Sequence, residues 1–234
     1  MTNLPLSSSI ATGGSSRRLR RSMLLCALVL AALLTATGVA FAQITQLGHT
    51  TTTATPSCPT TPCLAVSRTT GFQAKAGSER AMFVAPRDGR IVAWSITLGK
   101  PSQKQINFFD ANEGGAASAG ITILRPSKRL IYRVVGQSPI VALQPYFGMS
   151  ADFPLDNSIP VKKGWTVALG VPTWAPALSV GFGNDTSWRA SRRKGKCNDT
   201  ATQTAQSKAG SSTQYYCLYR TARLTYSATL ISTP

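Results

Sequence analysis

The chain holds 234 residues, 43% of them hydrophobic, and its 25 Lys and Arg stand against 8 Asp and Glu and 1 His, for a net charge of +17. One histidine and so few acids leave little from which to build a catalytic triad or a carboxylate pair. The basic excess either serves solubility alone or draws polyanionic partners, through attraction that is salt-dependent and largely unselective.

In chain order, Arg17, Arg18, Arg20 and Arg21 precede an apolar run from Met23 to about Leu34, followed by Ala40-Phe41-Ala42. This is the pattern of a signal peptide over residues 1–42, with cleavage predicted after Ala42. The 20 residues from Met23 to Ala42 would also reach across a hydrocarbon core of roughly 30 Å as an uncleaved anchor. Thr35, Thr37 and Gly38 dilute that run, and the Ala-x-Ala ending suits a peptidase better than an anchor. Arg20-Arg21-Ser22-Met23-Leu24 loosely matches a twin-arginine signal, although the general secretory route fits better. Removal of residues 1–42, with their four arginines, leaves 192 residues, with 21 basic against 8 acidic side chains and a net charge of +13. The mature protein is expected to be secreted, at or outside the cell envelope, with no membrane span.

Residues 43–57 read as a Thr-rich flexible tether that carries no fold. Cys58, Cys63, Cys197 and Cys217 form an even set in an exported chain, which suggests disulfides. Of three possible pairings the local one is the most economical: Cys58 with Cys63 around Pro-Thr-Thr-Pro, and Cys197 with Cys217 around a polar loop. From Val66 onward, short apolar and β-branched runs are punctuated by Gly, Pro, Asp and Ser, and no helical periodicity is seen. The expected fold is all-β: a two-sheet antiparallel β-sandwich over residues 58–234, jelly-roll-like, with about ten strands.

The clearest strand, Arg90 to Leu98, alternates Val92, Trp94, Ile96 and Leu98 on one face with Ile91, Ala93, Ser95 and Thr97 on the other, and should be central. Asp88-Gly89 suggests a hairpin joining it to Ala81-Met82-Phe83-Val84. Further strands are read at residues 69–75, 120–125, 130–135, 140–143, 152–155, 165–171, 178–182 and 216–231. Pro160 to Leu169 resembles the turn and strand found in jelly-roll domains.

Catalytic motifs are weak. His49, the sole histidine, lies in the tether and cannot be positioned as a general base. Gly148-Met149-Ser150-Ala151-Asp152 lacks the final Gly of a nucleophile elbow, and Ser191-Arg192-Arg193-Lys194 matches a bare Ser-x-x-Lys with none of its companion motifs. Asp110, Glu113, Asp152, Asp156 and Asp185 are the acids available to a glycoside hydrolase. Asp110 to Gly114 has oxygen ligands at alternating positions but no later bidentate carboxylate, so it reads as an ordinary loop and no metal or cofactor is expected.

Binding residues are easier to nominate. Trp174 sits between Pro172 and Pro176, which could present its ring outward for stacking, whereas Trp94 and Trp165 alternate with aliphatics and read as core. Trp188 opens a segment carrying Arg189, Arg192, Arg193, Lys194 and Lys196. That segment reads either as a docking loop for an anionic polymer, with Arg189, Arg192, Arg193 and Lys194 on its oxyanions and Trp188 or Tyr215 stacking alongside, or as a solvated charged loop. Asn184-Asp185-Thr186 and Asn198-Asp199-Thr200 fit glycosylation tripeptides and predict exposed loops. Beyond charge there is no motif for specific nucleic-acid binding.

Cys58 to Cys63, Thr70-Gly71-Phe72-Gln73, Gly89 to Ser95, Val171 to Pro176, Trp188 to Ser191 and Thr221 to Tyr226 resemble a group of uncharacterised secreted proteins of actinobacterial type. The resemblance implies an exported β-rich domain and supplies no activity or ligand. The expected function is a non-catalytic module that binds polysaccharide or an anionic envelope polymer, or serves a structural role outside the cell. The alternatives are a secreted glycan hydrolase using a carboxylate pair, and a protein-interaction or inhibitor module.

Overall fold

Strands dominate wherever side chains alternate between two environments, and the pairing of those strands defines two stacked layers. The computed structural model describes residues 42–50, 53–199 and 202–232. The export signal therefore lies outside the described residues except for Ala42, as do Thr51, Thr52 and Thr200. One layer has the order β1 (Ile44–Leu47), β15 (Tyr226–Ser232), β4 (Gly89–Thr97), β8 (Ser150–Val161), with every pair antiparallel. The path through the larger layer is β12 (Ser212–Gln214), β6 (Ile131–Gln137), β5 (Ser118–Pro126), β9 (Thr166–Ala175), β2 (Val66–Ala76), β11 (Ser187–Ala190), β13 (Cys217–Arg220). Off that path, β3 (Glu79–Arg80) pairs with β2 and β7 (Val141–Ala142) with β5. A separate ribbon joins β10 (Leu178–Val180) to β14 (Ala222–Leu224).

Eight of these strands, β1, β2, β4, β5, β6, β8, β9 and β15, carry the architecture. Ranked by sequence, they run 1-8-3-6 in the first sheet and 5-4-7-2 in the second. That is a jelly roll, two Greek keys wrapped into a double layer. Ile91, Trp94, Ile96 and Leu230 of the first sheet and Ile121, Ile123, Val167 and Leu169 of the second belong to one buried cluster between the layers. The segment between β9 and β15 is an elaboration: β11, β12 and β13 widen the larger sheet at both edges. It also supplies Tyr215 to a smaller cluster with Phe72, Leu124, Val134 and Ala168. β9 is thus covered on both faces, which explains why its residues 166–171 are all buried.

Several sequence expectations change. The tether is not without fold, because Ile44–Leu47 forms a full antiparallel rung set with β15 and Leu47 is buried. This short strand covers what would otherwise be the free edge of β15. A helix is present: α1 (Gln103–Asn112) starts at a capping box in which Gln105 N–H donates to Ser102 Oγ and Ser102 N–H donates to Gln105 Oε1. Its apolar stripe is too weak to read, since Ile106 and Phe109 are only half-buried and Phe108 is exposed. Ala81–Val84 does not pair with β4; Val84 bridges Thr166 instead. A bulge at Val92, which has no partner on β15, places Ile91, rather than Val92, in the core with Trp94 and Ile96. Fifteen strands occur among the described residues instead of ten, partly because residues 216–231 break into β13, β14 and β15. Both local disulfides, Cys58–Cys63 and Cys197–Cys217, are formed. No described helix is long and apolar enough to cross a membrane.

Candidate functional site

The residues nominated for stacking are turned inward. Trp174 is 0% exposed, with Phe109 of α1 stacked on it at 4.7 Å and its Nε1 donating to Asp110 Oδ1 at 2.8 Å. The prolines around it stiffen β9 and do not present the ring to solvent. Asp110 also accepts from Gln144 Nε2, so the oxygen-rich stretch foreseen as a loop is the end of a helix that braces Trp174. Among the described residues, no group of three or more His, Cys, Asp and Glu is placed to hold a metal ion.

The Trp188 segment is likewise an internal strut for half of its length. Trp188 is 5% exposed and stacks on Tyr219 at 4.6 Å. Arg192 is also 5% exposed, and its Nη1 donates to Tyr219 Oη at 2.6 Å and Cys197 O at 3.2 Å, while Nη2 donates to Ser67 O at 3.2 Å. Trp188 Nε1 and Arg192 Nε have no hydrogen-bond partner among the described residues. Arg189 is half-buried, and its Nη1 donates to the carbonyls of Tyr215 and Tyr216 at 3.2 Å each. Tyr215 is 0% exposed; its hydroxyl donates to Gln206 Oε1 at 2.8 Å, and burial pushes its pKa well above the usual phenolic range. Burial also raises Tyr132, against an opposing pull from Arg189. Only Arg193 and Lys194 of the nominated cations project into solvent. The structure therefore gathers Trp188, Arg192 and Tyr219 with Cys197 of the disulfide, leaves Trp174 in a separate aromatic cluster, and withdraws all three nominated rings from solvent.

An accessible aromatic site forms elsewhere, at the open edge of the sandwich. Along the β4–β8 ladder, Ile91 pairs with Ile159 and Ala93 with Pro154, so the four residues Leu155, Asp156, Asn157 and Ser158 lie opposite Val92 alone. The edge strand bulges outward here, as edge strands often do beside binding sites. Under the bulge lies a cleft of about 350 Å³ that reaches Val141 and Pro139 on the other layer. Its floor is an aromatic stack, with Phe153 4.6 Å from Trp94 and inclined by 30°; outside the cleft, Tyr146 stands edge-on to Phe153 at 5.1 Å. Trp94 is buried and Phe153 half-buried.

The polar lining consists of Gln137, Asp156 and Asn157, all exposed. Acceptors and amides thus stand beside an apolar floor, the composition of a small-molecule site with a few orienting polar groups. Asp152, four residues before Asp156, is occupied by the Ser95 hydroxyl on the outer face of the first sheet. That face also carries Thr97 with Ser150 and Gln46 with Ser227, a polar ladder turned to water. Sequence reasoning missed the cleft because the strand read at residues 152–155 stops short of Asp156-Asn157-Ser158, which β8 in fact includes. Its one signal was the proline pair, Pro154 and Pro160, flanking those polar residues; prolines in a strand mark an edge or a bulge.

Comparison of the chain with protein-family models, with curated proteins and with solved structures finds no match.

Proposed function

We propose that this protein is a secreted, non-catalytic jelly-roll module that binds a glycan in the cleft at the β8 bulge. One observation carries the reading: the half-buried Phe153 ring, backed by Trp94, lies beside the exposed carboxylate and amides of Asp156, Asn157 and Gln137. A sugar ring offers C–H faces for stacking and vicinal hydroxyls for paired hydrogen bonds, and both halves of that chemistry meet here. Binding is favoured over hydrolysis because Asp156 is the one carboxylate among the lining residues, whereas most glycosidases use two. Export is favoured by the arginine-flanked apolar leader together with the two disulfides, which suit an oxidising compartment. The resemblance to secreted proteins of actinobacterial type points the same way.

A glycan array probed with the wild type and with Asp156→Ala/Asn157→Ala tests the reading. These side chains are exposed, so the fold should be kept. Loss of hydrogen bonds worth about 1.5–3 kcal/mol where a charged group takes part should weaken any bound glycan at least about tenfold. Unchanged array signals in the double variant would remove the cleft from the account.

A further inference from the structure

Beyond the cleft, we propose that the β5–β6 hairpin and the Arg193-Lys194 turn beside it form a second, independent surface that takes a linear polymer of repeating oxyanions. The hairpin concentrates charge in a way the fold does not need. Arg125 on β5 pairs directly with Arg133 on β6, and both are exposed. Directly opposed like charges disfavour a strand pair, so nothing in the sheet rewards that choice. The connection between them carries Lys128 and Arg129, also exposed. No Asp or Glu occurs from residue 114 to residue 151, so neither strand supplies a counter-charge.

The turn is also locally strained. Arg129 and Leu130 take φ of 57° and 59°, the left-handed region where hairpin turns normally place Asn and Gly. The backbone is held in that shape by Ser127 N–H donating to Ile131 O at 2.7 Å and Tyr215 N–H donating to Leu130 O at 2.8 Å. A residue with a long cationic side chain thus occupies a position suited to a small one.

The elaboration between β9 and β15 adds to the same patch. Gln214 clamps the two segments together: its Nε2 donates to Arg129 O at 3.2 Å and its Oε1 accepts from Lys194 N–H at 3.4 Å. Arg193 and Lys194 are therefore held beside the hairpin tip, both exposed. β12 pairs Ser212 with Arg133, which sets the far side of the hairpin against the turn that contains the exposed Lys208. Guanidinium forks suit both phosphate and carboxylate oxygens, and a row of them suits a ligand that repeats such groups along its length.

Binding of long-chain inorganic polyphosphate and of polygalacturonate, titrated at several NaCl concentrations, tests the proposal. Three proteins are compared: the wild type, Lys128→Ser/Arg129→Ser/Arg133→Ser, and Lys104→Ser/Lys162→Ser/Lys163→Ser, which removes the same charge from exposed sites elsewhere. The hairpin variant should lose at least about tenfold in affinity and flatten the log–log salt dependence by about 2, while the control changes less than about twofold. A loss confined to one polymer identifies phosphate or carboxylate as the natural group. Equal losses in the two variants, or no wild-type binding to either polymer, overturns the proposal. Thermal melting monitors folding, and any glycan bound at the cleft should be bound equally by the hairpin variant, which separates this surface from the first.

Discussion

Pro154–Ile159 and Trp188–Cys197 put similar residue types to opposite use. Around Trp188, an indole and an arginine that look made for a ligand are spent inside the molecule. They stack on Tyr219 and tie β2 to the Cys197 carbonyl beside the disulfide. Around Phe153, a strand that looks like ordinary sandwich edge swells by several residues and leaves an aromatic stack beside open polar groups. A side chain's chemistry does not by itself decide whether it meets solvent. What covers the sheet face decides it: the larger sheet is roofed by the β10–β14 elaboration, whereas the β8 edge is not.

The sharpest way to break that contrast is to exchange neighbouring arginines. Arg192→Ala should destabilise the fold by about 2–4 kcal/mol, because a buried guanidinium that donates to three acceptors is lost and the Ser67 carbonyl is left without that donor. Arg193→Ala, one residue away and exposed, should change stability by no more than about 0.5 kcal/mol. Denaturant melts of the two variants check this, and equal effects would mean that the segment is not a strut.

A smaller effect separates the elaboration from the jelly roll. Burial raises Tyr215 in the first and Tyr226 in the second, so each stays protonated in the folded protein beyond the pH at which the unfolded chain ionises. The stability each contributes is complete below about pH 10, the ordinary phenolic value, and is lost as pH rises from there toward the folded values. Tyr226 donates to Val167 O in the main core, whereas Tyr215 donates to Gln206 within the elaboration. Tyr215→Phe should lessen the alkaline loss, and Tyr226→Phe should lessen it separately, as followed by melting temperature between pH 9 and pH 12. An unchanged alkaline limb in both variants would contradict the burial argument.

Much of the jelly roll was legible because its strands obey period two, and β4, β5 and β9 lie where alternation or an unbroken apolar run placed them. Local cysteine spacing led to both disulfides. What was not legible has particular causes. α1 shows only a weak apolar stripe, and its capping box lies in a polar stretch. β1 is four residues long inside a Thr-rich segment, and its identity depends on an edge almost two hundred positions away. The prolines flanking Trp174 suggest an exposed ring, but α1, which the sequence pattern does not announce, buries it. The cleft depends on a bulge, and a bulge is a mismatch between two strands that neither strand reveals alone.

Deleting Asp156 and Asn157 together shortens the bulge while keeping every later side chain of β8 on its own face. This variant should melt within a few degrees of the wild type and lose every glycan signal on the array. Retention of the wild-type glycan profile by the folded deletion variant would contradict glycan binding in the cleft.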